Sequence, residues 1–154
     1  MKTSLNHLPK PKIAELEQIK NLILKEGKDV QMIILYGSYA RGSWKEEKDL
    51  AKDRKSGAPS DYDILVVTSS KENALKSIWS DLSSKAYKSG LSAYVRIIAH
   101  DIYDINKKLF EGQYFYSDIK KEGIILYDNG KFELVEAGEL DAKYQKEIAQ
   151  REYD

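Results

Sequence analysis

The chain has no cysteine and only two histidines and three prolines among its 154 residues. Without cysteine it can form neither disulfides nor a thiolate-bound zinc or iron–sulfur site, and His7 and His100 are too few for a histidine-based metal cluster. No apolar run approaches the roughly 18 residues that a membrane-spanning helix requires, so no membrane association is expected. Neither sign of charge is in excess, because 25 Lys and Arg balance 25 Asp and Glu. Nothing in that balance draws the protein to a phosphate backbone, and long nucleic acid is not the expected partner. The opening MKTSLNHLPKPK lacks a hydrophobic signal core, which favours a cytoplasmic location. With 42% hydrophobic and 32% charged residues, the chain has enough apolar side chain for one globular core.

Hydrophobic periodicity divides the chain. Residues 1–12 read as a polar lead-in. Ile13, Leu16, Ile19, Leu22 and Ile23 recur at helical spacing up to Glu26, and Gly27 is placed to stop the helix. VQMIILY at 30–36 and YDILVVT at 62–68 are short, nearly continuous apolar runs, the pattern of strands covered on both faces. Ser69 with Glu72 forms a capping box ahead of a helix whose inner face is Ala74, Leu75, Ile78, Leu82 and Ala86. A third strand is predicted over 91–99 and short helices over 101–111 and 117–122. Asn129-Gly130 predicts a hairpin between strands at 124–127 and 131–135. Between Lys45 and Lys55, five basic and four acidic residues take nine of the eleven positions, so 44–60 reads as a solvated loop insertion in a domain spanning 13–135. The charged stretch 136–154 is expected to be a helix or linker, since its thin apolar stripe would hardly hold a helix alone.

The chemistry is concentrated in two places. Gly37-Ser38 follows the first strand, and a strand that turns into a helix there aims backbone N–H groups and a hydroxyl at one point, with no glycine side chain to keep a phosphate away. In Asp61-Tyr62-Asp63 the strand period puts both carboxylates on one face, their Cα atoms roughly 6.5 to 7 Å apart. Two such acids repel each other, and a hard cation such as Mg²⁺ with oxygen ligands relieves that repulsion. Each residue also has an ordinary structural reading: a strand-end turn for Gly37, a helix cap for Ser38, solvated edge acids for Asp61 and Asp63, and an exposed helix arginine for Arg41. Asp63, however, stands among apolar neighbours where an unpaired charge would be costly.

LYGSYARGS followed by SDYDILVV resembles the polymerase-β-type nucleotidyltransferases, in particular their minimal bacterial members, with G-S, a spacer and D-x-D opening a strand. The resemblance implies an α/β (α+β) fold, a small mixed sheet flanked by helices. It implies transfer of a nucleoside monophosphate from a nucleoside triphosphate, ATP being the expected donor, to a hydroxyl of a small molecule or protein. Residue by residue, Gly37 and Ser38, with Arg41, would hold the triphosphate, and Asp61 and Asp63 would bind Mg²⁺ as the catalytic carboxylates. Phe115 through Gly123 to Tyr127 looks like the closing part of members that carry a HEPN domain, which implies a HEPN-domain partner. Two departures stand out. The spacer from Ser38 to Asp61 is 22 residues, about twice that of compact members, and Arg96 occupies the place of the family's third carboxylate. Asp101, the next acid on, is roughly 17 Å further along a strand. Arg96 leaves open a second reading, a catalytically weak nucleotide-binding or partner-binding, antitoxin-like module.

Overall fold

The computed structural model describes residues 1–46 and 59–138. Four strands, β1 (Val30–Tyr36), β2 (Tyr62–Thr68), β3 (Val95–Asp101) and β4 (Ile124–Asp128), form one sheet in the order β3-β2-β1-β4. β2 runs parallel to β3, whereas β1 is antiparallel to both β2 and β4, so the sheet is mixed. The two central strands have both faces covered, as their unbroken apolar runs predict.

Alternate residues feed two cores. Ile33, Leu35, Ile64, Val66, Val95 and Ile97 point into a layer with Leu16, Ile19 and Ile23 of helix α1 (Lys10–Glu26). Trp79, Leu82 and Ala86 of helix α4 (Ile78–Lys88) complete that layer. Met32, Ile34, Leu65 and Val67 face the opposite way, against Ile102, Ile105 and Leu109 of α5 (Ile102–Phe110) and Tyr116 and Ile119 of α6 (Tyr114–Glu122). Each fully buried Ile or Leu contributes about 1.5 to 3 kcal/mol, so the two layers fix the strand register: a slip by one residue would exchange them.

Several boundaries differ from the sequence expectation for identifiable reasons. α1 begins at Lys10, inside the expected lead-in, because Pro9 caps it and a proline is favoured in the first turn. That lead-in is also partly packed: Leu8 is buried and Lys2 bridges to Ile124. The predicted helix after Ser69 is two helices, α3 (Lys71–Ala74) and α4. Ser70, not Ser69, caps α3 by accepting from Asn73 N–H, since Ser69 is held elsewhere. Its N–H and hydroxyl both donate to Asp29, as do Ser70 N–H and the Asn73 and Gln31 amides. β3 starts four residues later than predicted and runs to Asp101; Ser92 is drawn off the sheet by two hydrogen bonds to Glu15. α6 starts three residues before its predicted first turn.

The predicted hairpin is not formed. β4 pairs with β1, and although Gly130 N–H caps Asp128, residues 131–135 do not return along β4. They cross to α5, where Asn106 donates to the Glu133 carbonyl and accepts from Val135 N–H, and Phe132 and Leu134 pack into the second core. Burial of those two side chains outweighs a ladder at the sheet edge.

Asp29 has a positive φ of 61° and joins β1 to the β2–α3 turn through the five donors named above. Although burial pushes its carboxyl up, the Ser69 and Asn73 side chains and the Ser69 and Ser70 N–H groups hold it below its ordinary value. Asp29→Ala is expected to lower unfolding free energy by about 2 to 3 kcal/mol, because it leaves several donors unpaired at once. Urea denaturation at neutral pH measures this.

Of the predicted insertion, residues 47–58 lie outside the described part of the chain, as do 139–154 of the predicted C-terminal stretch. The two ends of the insertion are described. Lys45 N–H donates to Ser60 Oγ at 2.9 Å, and Ser60 N–H donates to the Lys45 carbonyl at 2.8 Å. This double bond of donors and acceptors closes the neck, so a long spacer leaves the start of β2 where a short one would put it.

Candidate active site

β1 ends at Tyr36, and the chain turns at Gly37 into a single helical turn, α2 (Ser38–Arg41). Gly37 has φ +76° and ψ −157°, a backbone conformation open essentially to glycine alone. A Cβ at this position would also collide with Asp63 Oδ2 and the carbons behind it. The turn is pinned from below. Tyr39 is buried, its ring stacked on Trp44 at 5.6 Å, its hydroxyl accepting from Lys12 and its carbonyl from His7 Nε2 at 2.7 Å. Tyr39 is thereby fixed in the core, and the first N–H groups of α2 have no intrahelical partner.

The strand register assembles the rest. Tyr36 pairs with Asp63 across β1 and β2, and Asp63 pairs with Arg96 across β2 and β3. The three residues form a row on the face that carries the second core, at the end of the sheet where that core stops. Asp61, two residues before Asp63, opens onto the same cleft, while Tyr62 between them faces the opposite layer and donates to Glu15. Together with Pro59 and Ser60 from the closed neck, these residues line a cleft of about 450 Å³. Gly37, Ser38, Arg41, Asp61 and Asp63, predicted separately from sequence, all line it.

The cleft also has a wall that the sequence reading missed. Phe115, Asp118, Ile119 and Glu122 project from one face of α6, and Glu122 pairs with Arg41 at 3.5 Å. Tyr36 meets Phe115 edge to face with ring centroids 5.8 Å apart. The i, i+3, i+4, i+7 spacing of the four α6 residues was visible, but only the packing of α6 over the sheet end shows what that face opposes. Asp101 lies at the other end of β3, opposite Thr68, and caps α5 through Asp104 N–H. It has no part in the cleft. His100 packs against the Tyr116 ring.

The electrostatics are those of a site short of positive charge. Burial, followed by repulsion from Asp61, pushes Asp63 up from its ordinary value of 3.8 to about 6, while Arg96 and Arg41 pull the other way. Burial and then the Asp63 charge raise the Tyr36 hydroxyl to about 12. A raised carboxyl makes ionisation unfavourable to the fold: its penalty is absent below about pH 4, grows between pH 4 and 6, and is constant above. Asp63→Asn should therefore stabilise the metal-free protein at pH 7.5. The rise to about 6 corresponds to about 3 kcal/mol, which solvent screening at this partly open cleft reduces to about 1 to 2 kcal/mol. The gain should vanish at pH 4, and thermal melts at the two pH values check it.

Such a charge deficit and two adjacent carboxylates, with a glycine turn packed against one of them, fit a hard divalent cation together with an anionic group. Asp61 and Asp63 would supply the oxygen ligands. Among the described residues no group of three or more His, Cys, Asp or Glu is placed to hold a metal ion, so a cation here would complete its shell with ligand or water oxygens.

A family model described as polymerase beta, nucleotidyltransferase, matches residues 17–132. This chain belongs to the polymerase-β-type nucleotidyltransferase family. The match includes the glycine turn, both aspartates and Arg96. Comparison with curated proteins gives no significant match. Among solved structures, the chain is similar to a toxin–antitoxin complex with AMP-PNP, at 20% identity over 89% of this chain and 86% of that one, with a TM-score of 0.48. It is also similar to the MntA–HepT toxin–antitoxin complex, at 17% identity over 91% and 86%, TM-score 0.46. A third is a tri-AMPylated Shewanella oneidensis HEPN toxin in complex with MNT antitoxin, at 17% identity over 93% and 87%, TM-score 0.46. No helix among the described residues is long and apolar enough to cross a membrane.

Proposed function

We propose that this domain binds a nucleoside triphosphate with Mg²⁺ and transfers the nucleoside monophosphate to an acceptor hydroxyl, with ATP the expected donor. The observation that carries this reading is the direct packing of the Gly37 turn on the Asp63 carboxylate in the wall of a cleft that Asp61, Ser38 and Arg41 also line. In it, the Gly37-Ser38 turn and Arg41 bind and orient the polyphosphate. Asp61 and Asp63 hold the cation, which when bound supplies charge neutralisation at the phosphate under attack. Phe115 and Tyr36 shield one side of the cleft from water. The protein contribution is mainly positioning and fixed charge.

A protein hydroxyl on a HEPN-domain partner is the favoured acceptor. The resemblance of the sequence to minimal family members that accompany HEPN proteins supports it, and the balanced charge of 25 against 25 does not favour a polynucleotide. Incubation with α-labelled ATP, Mg²⁺ and a HEPN-domain protein is expected to label that protein. Absence of transfer to any protein or small-molecule hydroxyl, despite nucleotide binding, would favour the second reading, a binding module. Arg96 in the place of the family's third carboxylate is the observation behind that alternative. A nucleotide-dependent thermal shift separates it from a domain that binds no nucleotide: ligand at 100 times its Kd adds about 2.7 kcal/mol.

A further inference from the structure

Arg96 stands where the family's usual pattern has an acid, and its surroundings indicate what it does instead. The parallel register of β2 and β3 sets it directly beside Asp63. It is exposed to the cleft and lines it, whereas its neighbours Val95 and Ile97 are buried in the opposite layer. Its charge reaches both Asp63 and Tyr36. The other arginine of the cleft, Arg41, shares its charge with Glu122, 3.5 Å away.

The charges of the lining residues make the same point. Asp61, Asp63, Asp118 and Glu122 against Arg41 and Arg96 leave two negative charges before a triphosphate adds its own, so the loaded cleft needs positive charge beside the phosphates. Among the described residues no group of three His, Cys, Asp or Glu gathers here, and the side chain set next to Asp63 on β3 is Arg96. A guanidinium is always charged and presents a fork of N–H donors matched to two phosphate oxygens. We propose that Arg96 grips the triphosphate directly and supplies the positive charge that a second cation would otherwise bring, so that this cleft takes one divalent cation per nucleotide.

This inference rests on the nucleotide-binding reading above, and a single set of binding measurements tests the two separately. The full chain is titrated with α,β-methylene-ATP by calorimetry, in Mg²⁺ and in EDTA, and bound Mn²⁺ is counted by electron paramagnetic resonance at saturating nucleotide. The wild type is expected to hold one Mn²⁺ per nucleotide and to keep measurable affinity in EDTA. Arg96→Ala should weaken binding at least tenfold, with a larger loss in EDTA than in Mg²⁺. Arg96→Lys should recover part of it, as a point charge lacking the bidentate fork. Because Arg96 is an exposed side chain, both variants should melt within a few degrees of the wild type. Two Mn²⁺ ions per nucleotide, or an Arg96→Ala variant that binds as tightly as the wild type, overturns the role of Arg96 alone. A wild type that binds no nucleotide in either condition overturns the underlying reading as well.

Discussion

Asp61→Ala combined with Asp63→Ala is expected to reduce nucleotidyl transfer by about 10³-fold or more while leaving a folded protein. Loss of one preorganised electrostatic group typically costs 10² to 10³ in rate, and here both oxygen ligands for the cation disappear together. Stability should move in the other direction. Asp63 is the carboxyl that burial and Asp61 hold up near 6, so its removal takes a strained charge out of the fold. A variant that melts no lower than the wild type yet transfers no label is the combined signature. Label transfer by the double variant at near the wild-type rate would refute the assignment, whatever the acceptor. Initial rates with labelled ATP, measured beside thermal melts of the same preparations, give both quantities.

Gly37→Ala is the second large effect. The φ of +76° is strained for any residue with a Cβ, and the added carbon would displace Asp63. The expected loss is about 1 to 3 kcal/mol of stability together with at least a tenfold weaker affinity for nucleotide in Mg²⁺. Gly130→Ala is the control. Its φ is +78°, with no atom within 4 Å of the new Cβ, so it should lose stability through backbone strain and leave nucleotide affinity unchanged. If the two variants bind nucleotide equally well, the Gly37 turn has no special part in the site.

The half of the site that lies on consecutive chain was readable in advance. β1 and β2 are apolar on both faces, so their runs are almost unbroken, and the residues that end β1 and open β2 stand out against them. Gly37-Ser38 and Asp61-x-Asp63 were legible for that reason, and the antiparallel pairing of Tyr36 with Asp63 brings them together. The other half depends on contacts distant in sequence. Phe115, Asp118 and Glu122 are an ordinary polar and aromatic helix face until α6 packs across the sheet end, and the 3.5 Å pair of Glu122 with Arg41 spans 81 positions. Arg96 departs from the family pattern in the sequence itself, but only the β2–β3 register sets it beside Asp63 rather than elsewhere on the strand.

The misplaced elements have the same cause. Asn129-Gly130 is a sound turn signal, and a turn does occur there, yet Phe132 and Leu134 are taken up by the core beneath α5 instead of extending a hairpin. Ser69 and Glu72 have capping-box spacing, but Asp29, forty residues earlier, claims Ser69 first. In each case a local propensity of about 1 kcal/mol was outweighed by burial or by a cluster of hydrogen bonds that the linear chain does not show. The double hydrogen bond between Lys45 and Ser60 belongs with these: nothing in the charged insertion indicates that its ends meet.

If one cleft grips a divalent cation and a triphosphate at the glycine turn and the paired aspartates, both ligands must be found there together. A crystal structure of the full chain with Mg²⁺ and α,β-methylene-ATP tests it most directly. Phosphate oxygens are expected against the Gly37 and Ser38 N–H groups, with a cation held by Asp61, Asp63 and the triphosphate. Nucleotide bound at another surface, with Asp61 and Asp63 free of both cation and phosphate at a concentration that saturates binding in solution, would contradict it.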